Sequence, residues 1–427
     1  MPKSLSSLWL SGIKRMGRAQ QAQQAQGRKF FLSLLPSSPA PAPAKRRRVK
    51  PTTLKLVALK ALKLIQTAKP VAKTRVRKPL AVKAPLEKPP LPAATHPLPG
   101  SWQRLNFSGG EGTYARSMAY WLYVPTRAPI GAGVAHASPM PLVVMLHGCE
   151  QSVSDFATST RMNELAQRKG FAVLYPEQSA SADAHRCWHW YKRPTQEGFG
   201  DVRLIAHMIA AVQAGHDLDA SRTYVAGLSA GAGLASILAL RHPELVAAVG
   251  LHSAPVFGTS DSTLGAYGVM QHGSALAHSD VAHALVKEAP AFPGMPVILI
   301  HGVADEVVRS INAQQLAGQF AIVNAPLLTS ADGVKRKFPA RSGGRAPHHG
   351  FRTTTWYAGR KPQIVKCEIE GLGHAWSGGD GSVPYSAPAG PDATLLMWTF
   401  FARHQRVALT APQAITEITE ITKITKA

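Results

Sequence analysis

Gly227-Leu-Ser-Ala-Gly231 sets one serine among small residues where two apolar patterns meet. Tyr224 to Ala226 reads as the end of a buried strand, and Leu234 to Leu240 as the apolar start of a helix. In that setting G-x-S-x-G is a strand-to-helix turn that lifts a serine hydroxyl above the edge of a parallel sheet. The turn strains the serine backbone and crowds its neighbours, so glycine and alanine are the residues it tolerates. The chemistry open to Ser229 is nucleophilic attack, provided a base takes its proton and a carboxylate orients the base.

Both partners follow later in the chain. After the apolar run Val297 to His301 comes His301-Gly-Val-Ala-Asp305, and after Ile364 to Ile369 comes Glu370-Gly-Leu-Gly-His374. Asp305 and His374 therefore sit at strand ends in the order Ser, Asp, His that an α/β-hydrolase requires. Glu306 is the next candidate acid, but beside Val307-Val308 it reads as a solvated residue. His147, His242, His252 and His301 fall close to other strands or turns and are assigned structural roles. An acyl-transfer site also needs donors for an oxyanion. The Ala230 N–H, directly after the serine, is one. The loop His147-Gly-Cys-Glu-Gln151 offers the second, and since Gly148 permits close approach, the donor is the Cys149 N–H. A thiol nucleophile at Cys149 is the poorer reading beside a complete serine set.

The elements needed to position these groups are legible around them. Arg116 to Val124 reads as a strand, and Pro141 to His147 is a continuous apolar run, as expected of a strand covered on both faces. Met162 to Lys169 has helical spacing, Phe171 to Tyr175 reads as a buried strand, and Asp201 to Ala214 as an amphipathic helix. Val246 to Leu251 adds a strand after the serine turn, and Ala393 to His404 closes the series as a helix. Strands alternating with helices predict an α/β fold with a mostly parallel, doubly wound sheet and helices on both faces. No G-x-G-x-x-G turn, P-loop or metal-ligand cluster stands out, so neither cofactor nor metal is expected.

Charge divides the 427 residues unevenly. Residues 1–100 hold 21 Lys and Arg against one acid, Glu87, while the remaining 327 carry 27 bases and 23 acids. The chain therefore reads as a basic, Pro/Ala-rich disordered arm over 1–100, a domain over 101–408, and a tail over 409–427 built on an Ile-Thr-Glu/Lys repeat. Lys45-Arg-Arg-Arg-Val-Lys50 is a dense cation cluster, and Leu54 to Gln66 can form a short amphipathic helix. Such an arm is either a solvated tail or a device for binding an anionic surface: a polymer granule, lipid headgroups or nucleic acid. No apolar run reaches the roughly 18 residues of a membrane span. Leu8 to Ile13 and Phe30 to Leu35 make poor signal-peptide cores, which predicts a cytoplasmic protein, with granule association and secretion left open.

Six stretches carry a family resemblance: Leu146-His-Gly-Cys-Glu-Gln151; Thr160-Arg-Met-Asn163 with Gly170 to Gln178; Cys187-Trp-His-Trp-Tyr191; Gly227 to Gly231; His301 to Asp305; and Gly373-His-Ala-Trp-Ser-Gly-Gly379. In this order they resemble the poly(3-hydroxybutyrate) depolymerase family of esterases, which extends to feruloyl and acetylxylan esterases. The resemblance implies a Ser229–Asp305–His374 triad, an oxyanion hole from the Cys149 and Ala230 N–H groups, and no metal. Trp188 and Trp190 are candidates for lining a substrate groove beside Tyr191, with packing of the loop after Pro176 the alternative. Trp376, two residues past His374, is placed to border the pocket. Cys149 and Cys187 lie in matching loops and are expected close enough to pair, leaving Cys367 free; in a reducing cytoplasm the two would stay thiols.

Two features depart from secreted depolymerases of this kind, which carry a signal peptide and a polymer-binding module after the catalytic domain. Neither is evident here, and a basic arm precedes the domain. The expectation is a serine esterase acting on 3-hydroxyalkanoate polyester or its oligomers. The alternatives are a feruloyl or acetylxylan type of esterase and, from another class, a granule- or nucleic-acid-binding protein held by its arm.

Overall fold

The computed structural model describes residues 98–109, 116–126, 138–258, 260–274, 278–343 and 348–406. Contacts divide the chain between Pro89 and Pro90, and every described residue lies on the C-terminal side. The expectations for the basic arm up to residue 97 and for the tail after 408 fall outside the described residues.

Ten strands form one sheet in the order β1-β2-β4-β3-β5-β6-β7-β10-β9-β8. These are β1 (Gly100–Gly109), β2 (Arg116–Pro125), β3 (Met140–Leu146), β4 (Ala172–Pro176), β5 (Leu218–Leu228), β6 (Ala248–His252), β7 (Val297–Gly302), β8 (Val334–Phe338), β9 (Phe351–Ala358) and β10 (Lys361–Ile369). The six from β4 to β10 in spatial order pair in parallel. Two antiparallel strands extend the sheet at each end. A short parallel pair, β11 (Trp376–Ser377) and β12 (Ser386–Ala387), lies beyond β10 in the chain.

The parallel strands are mostly apolar where both faces are covered, as along β3, β4, β6 and the second half of β5. Along β3, Leu142, Val144 and Leu146 enter one core while Val143 and Met145 enter the other. The first core is covered by the Asp201–Gly215, Ala230–Arg241 and Ile311–Val323 helices; the second by Val153–Thr160, Met162–Lys169 and Ala393–Phe401. This is the doubly wound α/β arrangement the alternating pattern predicts. Helix ends follow local chemistry: Ser152 and Asp392 accept the N–H groups of Asp155 and Leu395 at 3.0 Å, and Gly170 closes the Met162–Lys169 helix at φ 73°.

The edges differ from the centre. β8 is exposed at all five positions of Val-Lys-Arg-Lys-Phe, and β9 carries Arg352 and three threonines. Lysines and arginines on an edge strand discourage pairing with another chain.

Candidate active site

The carboxyl ends of β3, β5, β6, β7 and β10 converge, and each supplies one part of the site. Leu228 at the end of β5 pairs with His252 at the end of β6, which pairs with Ile300 of β7, which in turn pairs with Cys367 of β10. Residues just beyond this row are therefore neighbours although the chain separates them widely.

Ser229 follows β5 directly, with φ 57° and ψ −122°. That left-handed conformation is costly for a non-glycine residue, and here the strand before and the helix after enforce it. The flanking glycines have physical causes. A Cβ on Gly231 would overlap the carbonyl oxygens of Leu146 and His147, and one on Gly227 would stand 2.5 Å from the Gly231 carbonyl carbon. The helix thus starts hard against the end of β3. As its first residue, Ala230 has an N–H without an intrahelical acceptor, directed with the positive end of the helix dipole.

The loop after β3 lies against the serine: a Cβ on Gly148 would fall 3.6 Å from the Ser229 Cβ. The loop is held from several sides. Gln151 Oε1 accepts the Gly148 N–H at 2.8 Å, the Glu150 N–H donates to His185 O at 2.6 Å, and Trp188 Nε1 donates to His147 O at 2.9 Å. His147 accepts the Gln178 N–H on Nε2 at 3.1 Å, which leaves its proton on Nδ1 facing Gly148 O at 2.8 Å. Full burial lowers its pKa to about 4. A disulfide joins Cys149 to Cys187 with 4.3 Å between their Cα atoms, and Cys367 is a buried free thiol. The pairing expected from the two loops is present, as a bond and not as two thiols.

Asp305 and His374 come together across β7 and β10, with Asp305 Oδ2 2.8 Å from His374 Nδ1. The two loops are interlocked: the Val303 N–H donates to Ile369 O at 2.8 Å and the Ala304 N–H to Leu372 O at 3.0 Å. Burial raises the Asp305 pKa, but the hydrogen bond and charge of His374, the charge of His301 and the Val308 N–H outweigh it, and the net shift is downward. The carboxyl therefore stays ionised, which is the state that orients an imidazole. His301, fully buried under this loop, donates from Nε2 to Val308 O at 2.7 Å, and desolvation lowers its pKa.

The three tryptophans do not face a groove. Trp188 and Trp376 are fully buried and Trp190 is 5% exposed. Trp188 is engaged with His147; Trp376 packs edge-on to Phe156 and donates from Nε1 to Thr394 Oγ1 at 3.0 Å; Trp190 packs on Gly233. The substrate-lining expectation for Trp188, Trp190 and Trp376 is corrected to packing beneath the site, because all three rings are buried and the N–H groups of Trp188 and Trp376 donate inside the core.

Sequence reading passed over two features. Tyr385, at φ 59°, donates to Glu150 Oε2 at 2.8 Å and bridges the β11–β12 segment to the Cys149 loop. His252 touches both the serine turn and the segment after His374. The available signal was its place at the end of a central strand, on the side of the sheet where the Asp305 and His374 loops also leave their strands. Glu306 is not the acid beside His374; that place is taken by Asp305. Among the described residues no group of three or more His, Cys, Asp or Glu could hold a metal ion, and no helix is long and apolar enough to cross a membrane.

A strand-turn-helix serine and a strand-end acid and imidazole on a doubly wound sheet define an α/β-hydrolase. The fold agrees with that of an acetyl xylan esterase from Aspergillus awamori: TM-score 0.52, 22% identity, covering 64% of this chain and 94% of that one. The family model for PHB depolymerase esterases matches residues 118–343, and the chain belongs to that family. The match includes Ser229 and Asp305 and ends before His374. Among relatives, poly(3-hydroxyalkanoate) depolymerase C of Paucimonas lemoignei is 26% identical over 268 residues, 62% of this chain and 59% of its own length. A probable acetylxylan esterase A of Aspergillus clavatus is 25% identical over 291 residues, 66% of this chain and 86% of its own. The chain thus spans about three fifths of the length of the depolymerase it matches.

Proposed function

We propose that this chain is a serine esterase that hydrolyses 3-hydroxyalkanoate polyester or its oligomers through an acyl-enzyme. Ser229 Oγ attacks the ester carbonyl while His374 Nε2 takes its proton. Asp305 holds the Nδ1–H and stabilises the imidazolium. The Cys149 and Ala230 N–H groups receive the oxyanion, which collapses with transfer of the proton to the departing alkoxide. Water, deprotonated by the same imidazole, then attacks the acyl-enzyme, and the product acid leaves with Ser229 restored. The observation that carries this reading is the strained backbone of Ser229, at φ 57° between a buried strand and a helix start. Strain of that kind persists where function uses it.

The polyester reading is supported by membership of the depolymerase family and by the relative from Paucimonas lemoignei. A second reading, deacetylation of xylan, is favoured by the relatives and the solved structure that carry that name. Hydrolysis of 3-hydroxybutyrate oligomers, amorphous polymer, acetylated xylan and feruloyl esters, measured side by side, separates them. Turnover of the sugar esters alone would overturn the polyester reading. Ser229→Ala should remove all these activities by about 10³-fold or more.

We assign the basic arm to an anionic surface, with a polymer granule and its coat ahead of lipid or nucleic acid. The support is the concentration of 21 cationic side chains in residues 1–100. Deleting the arm should spare turnover of a small ester and weaken salt-sensitive co-sedimentation with granules. Of the locations read from the sequence, the Cys149–Cys187 disulfide favours an oxidising compartment over a reducing cytoplasm.

A further inference from the structure

His252 closes β6 and is fully buried, yet it contacts two segments that ester hydrolysis must hold in register. Its carbonyl accepts the Ser229 N–H at 3.0 Å. Its Nε2 accepts the N–H of Ser377 at 3.2 Å, three residues past His374. An N–H donor at Nε2 requires a lone pair there, so the ring is neutral and its proton sits on Nδ1, 3.2 Å from Ser253 Oγ. The ring also stacks on Trp376, with centroids 5.1 Å apart and planes 24° apart. On the far side, the Ser253 N–H donates to Ile300 O of β7, the strand that leads into the Asp305 loop, at 2.9 Å.

We propose that His252 is a positioning residue, whose peptide and neutral imidazole fix the distance between the Ser229 turn and the His374 loop. The proposal rests on the reading of Ser229 and His374 as nucleophile and base. Proton transfer between them needs heavy atoms within about 2.6–3.2 Å, and a misplacement near 1 Å costs about 10²-fold in rate. The serine turn is rigid, built between β5 and a helix. The His374 loop is not part of the main sheet, so its height above the serine depends on what it is bonded to. Ser377 is fixed from outside by its Oγ, which donates to Pro391 O at 2.6 Å; His252 supplies the bond from the nucleophile's side. Burial holds the ring neutral, with a pKa lowered to about 3 by desolvation first and by His301 and His374 after it. The acceptor at Nε2 therefore survives throughout the pH range in which His374 must work.

The test compares His252→Gln, whose Oε1 reaches about as far as Nε2 and can accept the Ser377 N–H, with His252→Asn, which is too short, and His252→Leu, which has no acceptor. Each is assayed on p-nitrophenyl butyrate beside Ser229→Ala. The expected result is kcat within about 5-fold of the parent for His252→Gln and about 50-fold lower for the other two, with KM within about 3-fold in all. Labelling of Ser229 by a fluorophosphonate should slow in the same proportion. If His252→Leu does not fold, the Gln and Asn pair decides. Equal losses in Gln and Asn, a loss confined to KM, or kcat near that of the parent in Asn would overturn the positioning role. Activity retained in Ser229→Ala would instead overturn the esterase reading beneath it.

Discussion

Asp305 grips His374 with one oxygen only. Oδ2 lies 2.8 Å from His374 Nδ1, while Oδ1 accepts the N–H groups of Val307 and Val308 at 3.0 and 2.9 Å. The carboxylate cannot rotate without abandoning two backbone donors. It therefore imposes a single tautomer on the imidazole, with the proton on Nδ1 and the lone pair on Nε2.

That arrangement predicts the behaviour of Asp305→Asn. The amide oxygen stays with the two backbone N–H groups, so its NH₂ faces His374 Nδ1 and forces the ring proton to Nε2. An imidazole protonated there cannot accept the serine proton, and kcat should fall by about 10³–10⁴-fold with the fold intact and KM little changed. Steady-state kinetics with near-UV circular dichroism check it. A variant within about tenfold of the parent would remove Asp305 from the mechanism.

Breaking the Cys149–Cys187 bond is expected to act on both stability and rate. The bond closes a loop with a sequence separation of 38, for which chain entropy gives about 3–4 kcal/mol. In the proposed mechanism it also anchors the peptide whose N–H receives the oxyanion. Cys187→Ser should lower the denaturation midpoint and reduce kcat about tenfold, with the larger effect on kcat than on KM. Treatment of the parent with a dithiol should reproduce both changes, and unchanged kcat in the reduced protein would show that the loop keeps its shape without the bond.

Much of this site was legible in the sequence, for a physical reason. Ser229, Asp305 and His374 each follow an apolar run that both faces of a parallel sheet require, and the chain order fixes which loop carries which group. The tryptophans misled because neighbourhood in sequence is not orientation in space: Trp376 is two residues from His374, yet β11 turns its ring inward against Phe156 and His252. β8 and β9 were missed because an exposed edge needs no apolar run, and Val-Lys-Arg-Lys-Phe reads as loop until its partner is known. For His252 the sequence offered only its place at the end of a central strand, and its partners Ser229 and Ser377 are brought to it by the fold.

Two glycines should respond oppositely to alanine. Gly231→Ala drives a methyl into the Leu146 and His147 carbonyl oxygens, both backbone atoms at the end of a buried strand that cannot yield. The loss should exceed about 3 kcal/mol or abolish folding. Gly268 lies inside the Thr263–His272 helix with nothing within 4 Å of an added Cβ, so Gly268→Ala should stabilise by about 0.5–1 kcal/mol. Urea denaturation of both variants checks the contrast, and destabilisation by Gly268→Ala would show that the helix needs that glycine.

The buried histidines set a pH dependence of stability whose sign can be worked out. Burial lowers the pKa of His147 to about 4 and that of His252 to about 3, and it lowers His301 as well. In the unfolded chain these groups titrate near 6.5. Between the two values the unfolded chain binds protons that the folded chain refuses. Stability is therefore complete above about pH 6.5 and is lost progressively as pH falls towards the folded values. Each such histidine contributes a slope approaching about 1.4 kcal/mol per pH unit. Carboxylates held low, Asp305 and Glu368 among them, add the same sign only nearer their unfolded pKa of about 4, so the interval from about pH 6.5 to 5 reports the histidines. Unfolding free energies across that interval should rise with pH in the parent. In His252→Gln the slope should drop by the share of one histidine, since glutamine takes up no proton. A slope unchanged by that substitution would mean that His252 is protonated in the folded protein, and its ring could not then accept the Ser377 N–H.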